Sequence, residues 1–392
     1  MIILDFLFYL CNPNLYLNFV LFKQIIGQQD IKSRLIQSVK DGFIPHARLI
    51  SGREGCGALP IALAYARYLH CTDRKEDDAC GICPSCLKFN KLSHPDLHFV
   101  FPIVNKKGSK DAYCDDFLPE WRKFLTETPY DNLTTWLETI GGENAHAIYA
   151  RESNVITRKL NLRAYESDYK IMIIWFPEKM TDDGANKLLK LLEEPPAKTV
   201  FLLVSEEPER VITTIRSRTQ LLAVPPIADE DLAQALNEKY NLPKEDLPLI
   251  LRLANGSYNE AIQIIDSTGD NEANLDLFIT MMRNSWKRDV QNMRTKSDQF
   301  AASGRDKQKA FLAYAQRLMR ENFLCALQIP EINYMNRKEA EFSVNFHPYV
   351  NERNVLDFMQ ELALAERHIE SNVNPKMVFF DLSMKIAVLL KK

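Results

Sequence analysis

Apolar positions along the chain change character near residue 225. Before that point, short continuous apolar runs alternate with stretches of helical periodicity. The runs at Leu49-Ile50, Leu97–Phe101, Lys170–Trp175, Thr199–Val204 and Gln220–Val224 are predicted strands. Runs that are apolar throughout suit strands buried on both faces of a parallel sheet. Between them, Ile31, Leu35, Ile36 and Val39 recur at helical spacing, Leu59–His70 reads as a helix, and Asn186–Glu194 is an amphipathic helix stopped by Pro195-Pro196. Strands alternating with helices predict a parallel sheet covered on both faces. Beyond Pro225-Pro226 no strand pattern remains. Asp229–Tyr240, Glu245–Leu253 and Tyr258–Ile265 are predicted short helices, followed by Leu275–Trp286, Lys307–Leu327, Asn354–Ile369 and Pro375–Leu390. The fold class is therefore α/β plus all-α. The last helices carry more apolar face than one small bundle usually hides, so they either pack on copies or partners or close into a self-contained bundle.

Length agrees with this division: 392 residues allow two or three domains. Charge adds little, because 49 Lys and Arg nearly balance 52 Asp and Glu, so no strongly basic balance announces nucleic acid. Residues 1–21 are apolar but lack a basic start, carry Asp5 and are interrupted by Asn12-Pro13-Asn14. Their apolar stretches are too short to span a bilayer. They are expected to be an extra leader or a start-site artefact, with no membrane role.

Three features carry candidate chemistry. The first is Leu49-Ile50-Ser51-Gly52-Arg53-Glu54-Gly55-Cys56-Gly57-Ala58-Leu59, a strand, a glycine-rich turn and a helix start. Gly52 and Gly57 have the spacing of a phosphate-binding loop, in which backbone N–H groups cradle phosphates at a helix N-terminus. Ala58 stands where a lysine would reach the phosphates, and Leu59 where a hydroxyl would hold Mg²⁺. The loop is either a nucleotide scaffold without its charge chemistry or only a tight turn. The second is the run Lys170–Trp175, which ends in Trp175-Phe176-Pro177 where an ATPase needs acidic residues for Mg²⁺ and water. The third is Cys71-x8-Cys80-x2-Cys83-x2-Cys86. Four thiolates satisfy a closed tetrahedral structural zinc site, and such clustering fits a reducing compartment. The alternative is four free cysteines or a redox pair. The charged stretch Thr72–Ala79 between them reads as a solvated loop. Lys106–Lys110 reads as a solvated basic turn, and Trp121, Phe124, Tyr130 and Trp136 as helical core residues.

Several further pieces occur in collinear order: Ile26-Gly27-Gln28, His46-Ala47, the four cysteines, His94-Pro95-Asp96, Leu188-Leu189-Lys190-Leu191-Leu192-Glu193-Glu194-Pro195-Pro196, Thr214-Ile215-Arg216-Ser217-Arg218 and Asn374-Pro375-Lys376. With these the chain resembles the bacterial DNA polymerase III clamp-loader family of AAA+ proteins, in its delta-prime branch. The resemblance implies a RecA-like AAA+ domain at 22–226 with the four-cysteine zinc insertion at 71–86. It also implies a helical lid at 227–270 and a helical collar for oligomerisation at 271–392. It implies a cytoplasmic, pentamer-like hetro-oligomer with motor and clamp-opening subunits, acting with the sliding clamp and primer–template DNA. Zn²⁺ would be structural, and ATP with Mg²⁺ would sit only in the neighbouring subunit.

In that family a Ser-Arg-Cys turn sends an arginine into the neighbour's ATP site. Here the turn is Ser217-Arg218-Thr219, so Ser217 and Arg218 become the candidate site in trans, with Arg216 supporting the turn. Asn259 replaces the lid arginine that senses nucleotide in ATP-binding relatives. The expected function is a subunit without its own ATPase that helps load the clamp. The alternatives are a gamma/tau-like ATP-hydrolysing motor of the same loader, or a zinc-containing nucleic-acid-binding module.

Overall fold

The computed structural model describes residues 21–104, 112–142, 146–240, 242–243, 246–328 and 333–392, with backbone alone at 267–270. Residues 1–20 of the expected leader at 1–21, and the basic turn at 106–110, lie outside the described residues. The chain divides into two compact units: Met1–Asn241 with Ala254–Ala261, and Leu242–Leu253 with Ile262–Lys392.

The first unit is built on strands β1 (Ala47–Ser51), β2 (Leu97–Val100), β3 (Ile103–Val104), β4 (His146–Ala147), β5 (Lys170–Trp175), β6 (Thr199–Ser205) and β7 (Gln220–Ala223). Five of them form one parallel sheet in the order β2-β5-β6-β1-β7. Every residue of β5 and β6 is buried, which explains their unbroken apolar character. β3 and β4 pair antiparallel as a separate ribbon that the sequence pattern does not reveal; two residues are too few to show a period.

The helix Ala58–His70 follows β1 and is buried along its whole length. Trp121 and Trp136 are fully buried and join Phe101, Phe124 and Trp175 in one aromatic cluster, as core residues should. Tyr130 is buried too, but it is not helical. It lies in the turn between the helices Leu118–Glu127 and Leu133–Thr139, and its hydroxyl accepts the Ile26 N–H at 2.9 Å.

The stretch Thr72–Ala79 is only partly the solvated loop that its charge suggests. Asp78 and Ala79 are buried, because the Asp78 carboxylate accepts the backbone N–H groups of Phe22, Lys23 and Ala79 at 2.7–3.1 Å. One acid thereby satisfies the start of the short 3₁₀ turn Phe22–Gln24. The His94-Pro95-Asp96 motif works similarly: Asp96 accepts N–H bonds from Tyr165, Glu166 and Ser167 at 2.6–3.0 Å.

The second unit is helical. Its core joins Phe278, Phe311, Leu318, Phe358, Leu362, Phe379 and Ile386 from four helices. The sequence pattern suggests two helices between 258 and 286, but Tyr258–Lys287 is a single helix of 30 residues. Gly269 in a helix interior costs only about 1 kcal/mol, too little to end a helix supported on both sides. The boundary at 270/271 expected between lid and collar therefore falls inside one helix. Val290–Ala301 and Arg337–Phe346 are further helices that the apolar pattern leaves unmarked. Among the described residues no helix is long and apolar enough to cross a membrane.

Candidate functional site

The glycine loop leaves β1 and enters the helix Ala58–His70 through Gly57, at φ +93. Gly55 sits at φ +71, and a Cβ there would lie 2.2 Å from the Ser257 hydroxyl oxygen. Only glycine fits this approach of the 257–259 segment to the loop. Several side chains then close over the loop. Gln28 Nε2 donates to the carbonyls of Cys56 and Pro225 at 3.2 and 2.6 Å. Asn132 and Asn259 both donate to Glu54 Oε1, at 2.8 and 2.7 Å. Tyr258 N–H donates to the Gly55 carbonyl at 3.1 Å, and the Tyr130 and Tyr258 rings meet edge to face at 5.0 Å.

The space left is about 30 Å³, lined by Gly55, Gly57, Ala58, Tyr130, Asp131 and Glu206 among others. That holds a water, whereas pockets for drug-sized ligands run to ~300 Å³ or more. Its lining sets two acids, Asp131 and Glu206, against one cation, Arg53. Burial, then Glu54, Glu178 and Glu207, push the Glu206 carboxyl up to about 7. Asp131 is raised by burial and by Glu54, although a Thr128 hydrogen bond works the other way. At the end of β5, Trp175 is buried in the aromatic cluster. The nearby Glu178 accepts the Glu206 and Glu207 N–H groups at 3.1 and 3.2 Å through Oε1 and ties the ends of β5 and β6 together, while its buried Oε2 has no hydrogen-bond partner.

The two most distinctive sequence pieces meet. Arg218 Nη2 pairs with Glu193 Oε1 at 2.7 Å, joining the Ser217-Arg218 turn to the end of the helix Asp182–Glu193. Arg218 Nη1 also donates to the Thr214 carbonyl at 3.0 Å and to Ser217 Oγ at 3.4 Å, and Ser217 Oγ donates to Thr214 O at 3.0 Å. Arg218 is 37% exposed, so its guanidinium is held but reachable. Arg216 pairs instead with Glu209.

The four cysteines also come together. The sulfurs of Cys71, Cys80, Cys83 and Cys86 all lie within 4.8 Å of one another, with Cys71–Cys83 and Cys80–Cys86 each at 4.0 Å. A tetrahedral tetrathiolate with ~2.3 Å metal–sulfur bonds needs sulfurs about 3.8 Å apart, so the set fits a metal ion. Backbone N–H groups of Cys80, Cys83 and Cys86 donate to the sulfurs of Cys71, Cys80 and Cys83 at 3.3–3.4 Å. Burial pushes the Cys71 thiol up to about 12. At Cys83 burial acts in the same direction, but hydrogen bonds from Thr72 and Cys86 outweigh it and bring the thiol down to about 6. Burial also raises Cys86, while the Arg67 guanidinium beside it pulls the other way.

Sequence reasoning missed Tyr130, Glu54, Glu206 and Arg67. Two acids directly after a buried parallel strand, Glu206-Glu207, were a legible signal, because ligands of such sheets bind at the carboxyl ends of strands. Arg67 was legible as a cation in an otherwise apolar helix four residues before a cysteine. Tyr130 had no signal.

A parallel sheet in this order, with a glycine loop after β1 and a helical segment folded over it, defines a RecA-like α/β domain of the AAA+ class. Residues 27–228 match the family described as DNA polymerase III, delta subunit, and the chain belongs to that family. DNA polymerase III subunit delta' of Escherichia coli (strain K12) is 29% identical over 238 residues, 61% of this chain and 59% of that protein. DNA polymerase III subunit gamma/tau of Mycobacterium tuberculosis (strain H37Rv) is 27% identical over 254 residues, 62% of this chain and 36% of that protein. The chain thus spans between about a third and three fifths of the length of these relatives. Among solved structures, a DNA polymerase III gamma subunit-related protein from Thermotoga maritima covers 92% of this chain and 99% of its own at 14% identity, with a TM-score of 0.39. The fold assignment rests instead on the strand order.

Proposed function

We propose that this chain is a delta-prime-type subunit of a bacterial DNA polymerase III clamp loader, one that binds no ATP itself and presents Arg218 to the ATP site of a neighbouring motor subunit. The observation that carries this reading is the closed glycine loop. About 30 Å³ remains above it, lined by Asp131 and Glu206 together with the single cation Arg53. Ala58 supplies no cation, and Trp175 no metal ligand.

Arg218 is the counterpart of that loss. It is partly exposed and held by one carboxylate and one carbonyl. In a neighbour's ATP site it would exchange Glu193 for a phosphoryl group, a charge-assisted contact of the same kind. There it would offset the charge that builds on the transferring phosphoryl group; trans arginines of this type are worth ~10³–10⁵ in rate in GTPases. ATP bound by the motor would favour the loader state that opens the sliding clamp and grips primer–template DNA. Hydrolysis would release the clamp. Contacts with DNA would be to its phosphates and hence salt-sensitive.

The second unit is read as the collar through which the hetero-oligomer assembles. Leu356, Met377 and Val388 are at least 66% exposed there, apolar surface that a partner would cover. The four-cysteine cluster is read as a structural zinc site: all four positions are protein thiols, so none is open for substrate. The loader's place in replication puts the chain in the cytoplasm. A gamma/tau-like motor is the second reading, favoured by the similarity to the mycobacterial gamma/tau subunit.

Equilibrium dialysis of the isolated chain against ATP and Mg²⁺ separates the two. The delta-prime reading expects no binding at millimolar nucleotide. Stoichiometric binding with hydrolysis would establish the motor reading instead.

A further inference from the structure

Arg67 is the most deeply buried arginine among the described residues. It lies on the helix Ala58–His70, is 1% exposed, and sits against the four-cysteine cluster. A guanidinium offers five N–H donors and cannot lose its charge. Here Nη2 reaches the Gly81 carbonyl at 3.4 Å, between Cys80 and Cys83, while Nε and Nη1 have no hydrogen-bond partner. A buried cation in this condition is strongly unfavourable unless a countercharge lies nearby. The Gly81 carbonyl that it reaches lies in the turn between two of the cysteines, and Cys86 is close enough for the guanidinium to act on its thiol, so the cysteine sulfurs can carry one.

We propose that Arg67 is the built-in counter-cation of the four-cysteine site, offsetting the charge of the metal-bound cluster and so setting its affinity for a divalent metal. The proposal rests on the metal reading given above. When a divalent ion binds, four thiols release four protons to solvent, and the resulting tetrathiolate carries a net charge of 2−. One buried guanidinium halves that charge, and the complex in turn supplies the anion that Arg67 lacks. Arg67 holds the Gly81 carbonyl between two of the cysteines and would act on the metal only through them, so it is a positioning residue. Outer groups of this kind typically change metal affinity 10- to 100-fold.

The test uses the full chain, reduced and stripped of metal, titrated with Co²⁺ while the thiolate-to-cobalt charge-transfer absorption is read. Competition by Zn²⁺ then gives the zinc affinity. Arg67→Met removes the charge at similar length. Arg67→Gln removes it but keeps a donor for the Gly81 carbonyl, so whichever folds by circular dichroism in the presence of Co²⁺ carries the test. Arg67→Lys keeps the charge. The expected result is a 10- to 100-fold loss of affinity in the neutral variants, smaller in Arg67→Lys, with an unchanged tetrathiolate spectrum. A folded neutral variant within twofold of wild type would overturn the role of Arg67 while leaving the metal site intact. Equal loss in Arg67→Lys and the neutral variants would also overturn it, since packing rather than charge would then matter. Absence of the charge-transfer band in wild type would remove the metal reading itself.

Discussion

Replacing Glu206 by Gln should stabilise the protein, and by an amount that depends on pH in a specified way. The Glu206 carboxyl stands at the end of β6 beside the glycine loop, with burial as the main cause of its shift and Glu54, Glu178 and Glu207 adding to it; Lys179 opposes. Its value rises from 4.5 to about 7. The folded state therefore holds the proton more tightly than the unfolded chain does. By linkage, stability from this group is fully present below the unfolded value and is lost as pH rises through the folded one. Each unit is worth about 1.4 kcal/mol, so the ionised carboxylate costs the native state about 3 kcal/mol at about pH 8.5, roughly 1.4 kcal/mol at about pH 5.5, and almost nothing at about pH 4. A glutamine of the same shape carries none of this pH-dependent cost. Urea unfolding of wild type and Glu206→Gln, followed by tryptophan fluorescence, reads the difference, because Trp121, Trp136 and Trp175 all lie in the first unit's core. The gap should open from near zero at the acid end to several kcal/mol at the alkaline end. A constant gap would refute the reasoning, because it would mean that neither burial nor the neighbouring carboxylates raise the Glu206 carboxyl.

Asp96→Asn should cost about 2–3 kcal/mol, since an amide cannot accept all three N–H bonds of Tyr165, Glu166 and Ser167. Burial opposes ionisation of Asp96, but those bonds and His94 hold its carboxyl below the usual carboxylate range. Its contribution is thus present above about pH 4 and lost as pH falls through the folded value, so the cost of the substitution, measured by urea unfolding, should shrink in acid. Glu193→Ala should change stability by at most about 1 kcal/mol, because both partners of the pair with Arg218 are over a third exposed. If Glu193 serves chiefly to aim Arg218, the same variant should lower the DNA-stimulated ATPase of a reconstituted loader more than it lowers the melting temperature of the chain.

The sheet was legible because its central strands are buried on both faces and so cannot alternate; Lys170–Trp175 and Thr199–Ser205 declare themselves by composition alone. The cysteine cluster was legible because its ligands are close in sequence, so a local turn suffices to gather them. Distant partners were not. Tyr130 reaches Ile26 across a hundred residues, and Asn132 and Asn259 converge on Glu54 from separate elements. The pairing of Arg218 with Glu193 lies between these cases: both motifs stood out, but nothing in their spacing showed that they touch. The continuous helix Tyr258–Lys287 was hidden by a polar, glycine-containing stretch that reads as a break yet costs a helix little.

The most direct measurement is the DNA-stimulated ATPase of the reconstituted clamp loader carrying wild-type chain or Arg218→Ala, with assembly checked by size-exclusion chromatography and the isolated chain assayed alongside. The proposed function predicts an inactive isolated chain and an assembled mutant loader whose turnover falls by at least tenfold. A mutant loader that assembles and turns over at the wild-type rate would contradict it and reduce the chain to a scaffold.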